Sequence, residues 1–272
     1  MAGAGILKRQ GRKTPPVSTA LSRGLRLLSV FAEAPVWMSN SDIVERTHLP
    51  AATVARLTKS LALMGLLHYS ASRRRFRLAP GVVRLGYGAR SEAQIVELTR
   101  PYLQEIADNF RVHTALAVID GTDALHLEVC HSSATLVTLR LEAGSRIPLA
   151  ASPIGHALIS CLEETQLGHL MAALERHHGG DWSHLAQHVE QGLSEIEEQG
   201  FALSLGNWHE DVHGVAVPLR PSGQLNAMSI ACGAPRAHTP PSRLRELGQE
   251  LLHLSAALST RAQNTQFHQH AV

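Results

Sequence analysis

The chain has 272 residues, enough for two ordinary domains, and is 44% hydrophobic but only 4% aromatic, so any core is aliphatic. No run reaches the roughly 18 to 20 uncharged apolar residues of a membrane span, and no long apolar run follows the basic residues near Met1, which argues against a secretory signal. The whole-chain charge of +2 hides an asymmetry: residues 1–80 carry 13 Lys and Arg against three acids, a net +10, which leaves −8 for the rest.

Residues 1–17, basic and rich in Gly, Pro and small side chains, read as a disordered arm. Ser18 or Thr19 then caps a helix with apolar Leu21, Leu25, Leu28, Val30 and Phe31 at helical spacing, ended by Ala34-Pro35. Ser39 or Ser41 caps a short second helix, with Asp42 and Glu45 in its first turns, where the helix dipole favours acids. Thr47-His48-Leu49-Pro50 is a turn, and Pro50 is suited to open the next helix. From Ala51 to about Met64, Val54, Leu57, Leu61 and Met64 form one buried stripe, and Gly65 is a natural C-cap. Ala51, Ala52, Thr53, Arg56 and Lys59 fall off the stripe.

Leu66–Tyr69 and Arg73–Leu78, separated by Ser70-Ala71-Ser72, read as a β-hairpin. Its second strand sets Arg73, Arg75 and Arg77 on one face and Arg74, Phe76 and Leu78 on the other. Two helices, a short turn, a third helix and a basic hairpin form the order of a winged helix-turn-helix over residues 18–80, with the helix-turn-helix at about 40–59. The physics suits double-stranded DNA: a helix fits the major groove, and arginines on a hairpin meet phosphates or the minor groove. The expected DNA-binding residues are Ala51, Ala52, Thr53, Arg56, Lys59, Arg73, Arg74 and Arg75.

A linking helix is expected over residues 81–95, weakened by Gly81, Gly86 and Gly88, followed by a clearer helix from Ile95 to Phe110. Strand patterns come at Thr114–Ile119, Ala124–Val129 and Leu136–Leu141, the first two joined by a turn at Asp120-Gly121-Thr122-Asp123. Helical patterns cover about Gly155–Cys161, Glu164–Leu174 and Leu185–Gln199. Two late strands, Gly214–Leu219 and Leu225–Cys232, are joined by Arg220-Pro221-Ser222-Gly223, and an amphipathic helix follows from Ser242 to about Ser259. Residues 96–262 therefore read as an α+β domain with a mostly antiparallel sheet, and 263–272 as a frayed tail.

The order and spacing of several segments resemble the IclR family of bacterial transcription regulators. In the first domain these are Leu21-Ser22-Arg23-Gly24-Leu25-Arg26-Leu27-Leu28, Leu49-Pro50-Ala51-Ala52-Thr53-Val54-Ala55-Arg56-Leu57 and Phe76-Arg77-Leu78-Ala79-Pro80-Gly81. In the second they are Gly144-Ser145-Arg146-Ile147-Pro148-Leu149, Ala151-Ser152-Pro153-Ile154-Gly155-His156-Ala157-Leu158, and Gly200-Phe201-Ala202 through Asn207-Trp208-His209 to Gly214-Val215-Ala216-Val217-Pro218-Leu219. The resemblance implies a GAF-like effector-binding and oligomerisation domain, and a homodimer or homotetramer. It also implies control of a nearby catabolic operon by a small carboxylate or aromatic effector, with RNA polymerase a further partner if the protein activates. It places the effector among Leu149, Ser152, Ile154, Asp211, Gly214, Ser229 and Ala231. Ala51, Ala52 and Ala55 stand where relatives often carry polar residues, and Pro153 and Ala231 make the pocket less polar than one for small oxo-acids, which suits a larger or aromatic ligand.

Three widely spaced cysteines, Cys130, Cys161 and Cys232, indicate reduced thiols in a cytoplasm. Of the 17 histidines, His184 and His188 share a helix face and His177-His178 lie nearby. Without His-Glu-x-x-His or Cys-x-x-Cys these read as surface residues and no metal site is expected. His126, alternating with Ala124 and Glu128, is structural or faces the pocket. Ser152 lacks a Gly-x-Ser-x-Gly setting, Cys161 sits in an apolar helix, and no phosphate-cradling loop follows a strand, so no catalytic residue, no cofactor and no membrane role are expected. The alternative reading is an architectural DNA-binding protein whose second domain only oligomerises.

Overall fold

The computed structural model describes residues 18–31, 37–86, 90–133, 141–220 and 226–269. The chain divides into two compact units, Met1–Ala89 and Arg90–Val272.

In the first unit, α1 (Thr19–Ser29), α2 (Asn40–Thr47) and α3 (Ala51–Leu63) precede a hairpin of β1 (Leu67–Ser70) and β2 (Arg75–Leu78) and a short α4 (Gly81–Gly86). The local chemistry explains the sharp ends. The Ser39 hydroxyl accepts from the Asp42 N–H, and the Asp42 carboxylate accepts from the Ser39 N–H at 2.8 Å, a reciprocal cap on α2. His48 ends α2 in the left-handed region (φ 53°), while the buried Thr47 hydroxyl donates to the Ile43 carbonyl. Pro50 then stands at the N-cap of α3. Leu27, Met38, Ile43, Val54, Leu61, Leu67 and Phe76 meet in one core. Leu21 and Leu25, expected on the inner stripe of α1, are exposed at 61% and 55%; Leu27 is the residue that α1 buries.

In the second unit, α5 (Arg90–Phe110) leads into β3 (His113–Asp120) and β4 (Asp123–His131). There follow β5 (Arg146–Pro148), α6 (Pro153–Ile159), α7 (Glu164–His178) and α8 (Trp182–Gln199). β6 (Ala202–Leu205), β7 (Val212–Leu219), β8 (Met228–Pro235) and α9 (Pro241–Gln269) complete it. The described strands form one antiparallel sheet in the order β5-β4-β3-β8-β7-β6. Alternation along the strands makes two cores. Leu116, Val215, Ile230 and Cys232 face α5 and α9; Ala115, Ala117, Ala216 and Ala231 face α6 to α8. Small residues dominate the second face, where α6 packs, and α6 also lies tight against the turn that leads into it: a Cβ on Gly155 would lie 2.1 Å from the Leu149 carbonyl oxygen.

The helix expected over residues 81–95 is two helices, α4 and the start of α5, and residues 87–89 between them lie outside the described residues. α5 begins at Arg90 rather than Ile95 and runs through Pro101. Of the strand expected at Leu136–Leu141, residues 136–140 are outside the described residues, as are 221–225 of the late hairpin turn; so too is the arm 1–17. No described helix is long and apolar enough to cross a membrane.

Candidate functional site

Two surfaces carry chemistry, one in each unit. On α3, Val54, Thr58 and Leu61 turn inward, and Thr58 ties the helix to α2 by a hydrogen bond from its hydroxyl to the Asn40 side chain at 3.3 Å. The opposite side leaves Ala51, Ala52, Ala55, Arg56 and Lys59 exposed, with Thr53 half-buried. A bare alanine front flanked by Arg56 and Lys59 is a helix face able to enter a groove without steric hindrance.

The hairpin is more ordered than a charge run. Arg75 donates from one Nη1 to the Asp42 carboxylate and to the Trp37 carbonyl, both at 3.1 Å. The Arg73 and Arg77 guanidiniums lie over the Trp37 ring, 5.2 and 5.0 Å from its centroid. Asp42 is held below the ordinary carboxylate range, first by the Ser39 N–H and then also by Arg75 and Arg46. Arg75 is thus engaged within the unit and positions the wing, whereas Arg74, left-handed at φ 53° in the turn, is exposed. Trp37 and Arg77 belong to this surface and were not among the expected residues. The signal for them was the shared strand face of Arg73, Arg75 and Arg77, but a ring 36 positions before Arg73 cannot be paired with it from spacing alone.

In the second unit a cavity opens on the α6 face of the sheet. Its floor is His113 and Ala115 of β3, His126 of β4, Gly214 of β7, and Ala231 and Gly233 of β8. Ser204 of β6 and Val212 of β7 extend this floor on the same face, and Leu141, Ile147, Ser152, Pro153, Ile154 and Trp208 complete the lining. Free space is about 40 Å³, enough for about three waters. Two glycines make the floor possible: a Cβ on Gly233 would sit 2.1 Å from the His113 Nε2, and one on Gly214 would sit 3.3 Å from Pro153.

Most of the polar lining is already engaged. The Ser152 hydroxyl donates to the Pro148 carbonyl at 2.7 Å and accepts from the Gly155 N–H, capping α6. Ser204 accepts from the Asn207 N–H. His126 donates from Nδ1 to the Ser145 carbonyl at 3.0 Å, which leaves Nε2 as an acceptor. Burial, helped by His131 and His126, pushes His113 down to about 4, and burial lowers His126 as well, so both are neutral at pH 7.

Of the seven residues expected around an effector, the cavity brings together Ser152, Ile154, Gly214 and Ala231. Leu149 lies in the core beside it, Ser229 is buried and donates to the Val217 carbonyl at 3.0 Å, and Asp211 is exposed. His113, Ser204 and Trp208 replace them, and His126 takes the pocket-facing alternative. Arg146 pairs with Asp120 and Asp123, clamping β5 to the β3–β4 turn. His184 and His188 have ring centroids 4.4 Å apart, but among the described residues no three His, Cys, Asp or Glu side chains gather as a metal site would need.

A wing-and-helix unit followed by a sheet domain with an internal cavity matches known proteins. The model of the bacterial transcriptional regulator IclR C-terminal domain matches residues 88–260, and that of the IclR helix-turn-helix domain matches residues 20–71. The chain belongs to the IclR family. A crystal structure of an IclR family transcriptional regulator from Brucella abortus is 30% identical, with a TM-score of 0.75 over 95% of this chain and 96% of that one. The HTH-type transcriptional regulator TsaQ1/TsaQ2 of Comamonas testosteroni is 27% identical over 227 residues, 83% of this chain and 81% of its own. An IclR homologue from Microbacterium hydrocarbonoxydans, crystallised with 4-hydroxybenzoate, shares the fold at a TM-score of 0.73 and 20% identity over 90% of this chain and 100% of that one. The protein is therefore a transcription regulator of the IclR type, with a helix-turn-helix and an effector-type C-terminal domain.

Proposed function

We propose that this IclR regulator binds operator DNA through Ala51, Ala52, Thr53, Arg56, Lys59, Arg73 and Arg74. Its occupancy of DNA is set by an aromatic carboxylate effector held in the cavity of the second unit, and a nearby catabolic operon is its target. The observation that carries the reading is the cavity: apolar walls around a few convergent polar groups, Nε2 of His126, His113 and Ser204, the general character of a small-molecule site. The 4-hydroxybenzoate complex of the Microbacterium hydrocarbonoxydans homologue supports the same ligand class. A domain that only joined copies would need no such space, which counts against the architectural alternative.

With about 40 Å³ free, an aromatic acid enters only if the segment of residues 206–211 carrying Trp208 moves outward, so binding selects a second conformation of the domain. The active species is a homodimer or homotetramer, because one winged unit covers one half-site.

The test is a panel of benzoates and small oxo-acids, read by tryptophan fluorescence and by anisotropy of a labelled promoter fragment. An acid that changes both signals, and an Ala231→Val variant that binds DNA normally yet ignores that acid, support the reading. DNA affinity indifferent to every acid, in wild type and variant alike, rejects it in favour of the architectural role.

A further inference from the structure

The cavity is unusual in its charge. No Asp, Glu, Lys or Arg lines it among the described residues; its titratable side chains are His113 and His126, since the Cys232 side chain belongs to the core on the other face of the sheet. His113 stands on β3 opposite His131 of β4 and over the backbone of Gly233 on β8, and it makes no hydrogen bond among the described residues. His131 is turned to the Leu141 carbonyl at 2.8 Å, with its ring centroid 6.1 Å from that of His113. The next acid on β4, Glu128, is engaged with Arg100 at 2.8 Å. Trp208 from the β6–β7 connection, Val212 from β7, and Pro153 and Ile154 from α6 also line it; none of these ionises.

A carboxylate brought into such a space meets no fixed positive charge. Burying an anion without a partner is prohibitive, so it must either stay out or arrive with a compensating proton. Two groups at the cavity wall can hold that proton: His113, whose ring is uncommitted, and His126, whose Nε2 is a free acceptor. We propose that effector capture is proton-linked, the acid being bound together with one proton shared between its carboxylate and the His113–His126 pair. This rests on the cavity being the effector site.

Free histidine plus free carboxylate plus one proton from solvent becomes an imidazolium–carboxylate pair, with no other bond made or broken. In the empty cavity burial keeps His113 near 4, and His126 is lowered too, so neither holds the proton beforehand. An acid of ordinary pKa, about 4, is also ionised at pH 7. The proton is therefore taken up on binding, and affinity falls roughly tenfold per pH unit until the pair itself loses the proton. The regulator would thus respond to acid load as well as to effector concentration.

The experiment is titration calorimetry of the full-length protein with 4-hydroxybenzoate, benzoate and the uncharged 4-hydroxybenzamide, at pH 6, 7 and 8, in two buffers of different ionisation enthalpy. Uptake approaching one proton per acid, none for the amide, and a roughly tenfold loss per pH unit for the acids alone are expected. His113→Gln and His126→Gln, each checked for a native circular dichroism spectrum, should between them abolish the pH slope. Acids that bind without buffer dependence, or with the same slope in both variants, overturn the proposal while leaving the cavity as the effector site. If the amide alone binds, the outcome is the same. If none of the three binds and Trp208 fluorescence is unmoved, both readings fall.

Discussion

Trp37→Leu separates the order of the wing from its charge. In the structure the Trp37 ring carries the guanidiniums of Arg73 and Arg77 at 5.2 and 5.0 Å, so both side chains are held before DNA arrives. An exposed cation–π interaction contributes about 0.5–1 kcal/mol, and ordering one long side chain at an interface costs about 0.5–1.5 kcal/mol. Without the ring, about 1–2 kcal/mol of ordering cost should return to the binding step, a fall of about five- to thirtyfold in affinity. Leucine preserves bulk near Met38, and every positive charge stays. The assay is anisotropy of a labelled promoter fragment across a salt series. The predicted signature is a lower affinity at every salt concentration with an unchanged slope of log affinity against log salt. An Arg73→Ala/Arg74→Ala double variant, by contrast, should flatten the slope by about 0.9 for each phosphate no longer neutralised. Undiminished affinity in Trp37→Leu, or a slope that moves with it, would refute the pre-ordering argument.

Arg56→Ala should relax operator preference at one or two positions, an effect of about 1–3 kcal/mol if the guanidinium reads a guanine; equal losses on operator and random duplexes would make it a phosphate contact. Gly155→Ala should destabilise the second unit by about 3 kcal/mol, the upper end of overpacking costs, because its Cβ would lie 2.1 Å from the Leu149 carbonyl oxygen and 2.4 Å from its Cα; a urea midpoint like that of wild type would contradict the close packing of α6. His113 titrates near 4 in the folded protein, below its ordinary value of 6.5, so its share of stability is complete above 6.5 and is lost as pH falls towards 4. Between pH 8 and pH 5 that is about 2 kcal/mol, with His126 and His156 acting in the same direction. His113→Gln should shrink this pH dependence in denaturant titrations, and an identical loss in wild type and variant would assign it elsewhere.

The features that sequence reveals well are those whose physics is local. Ser39 with Asp42, Pro50 before α3 and Gly65 after it are punctuation marks within one turn of the elements they bound, and each does its expected work. The charge division between the two halves needs no structure at all. Elements supported mainly by tertiary packing escape such reading. β5 and β6 have three and four residues, too short for a period to show, and exist because β4 and β7 offer them edges. On α1, several leucines fit an apolar stripe, but only packing against α2 and α3 selects Leu27 over Leu21 and Leu25.

The cavity shows the same limit in chemical form. Ser152, Ser229 and Asp211 are polar residues that the family resemblance places around an effector. A buried hydroxyl, however, must find a partner and takes the nearest one. Ser152 finds it in the turn before α6 and Ser229 in the neighbouring strand, so both are satisfied before any ligand comes. Among the described residues, the lining groups that hydrogen bonds leave open are His113, set over Gly233, and the Nε2 of His126, whose other nitrogen is engaged. Both depend on strand register between β3, β4 and β8, three elements up to 120 residues apart. A sequence names the groups that can bind, and only the fold determines which of them remain unpartnered.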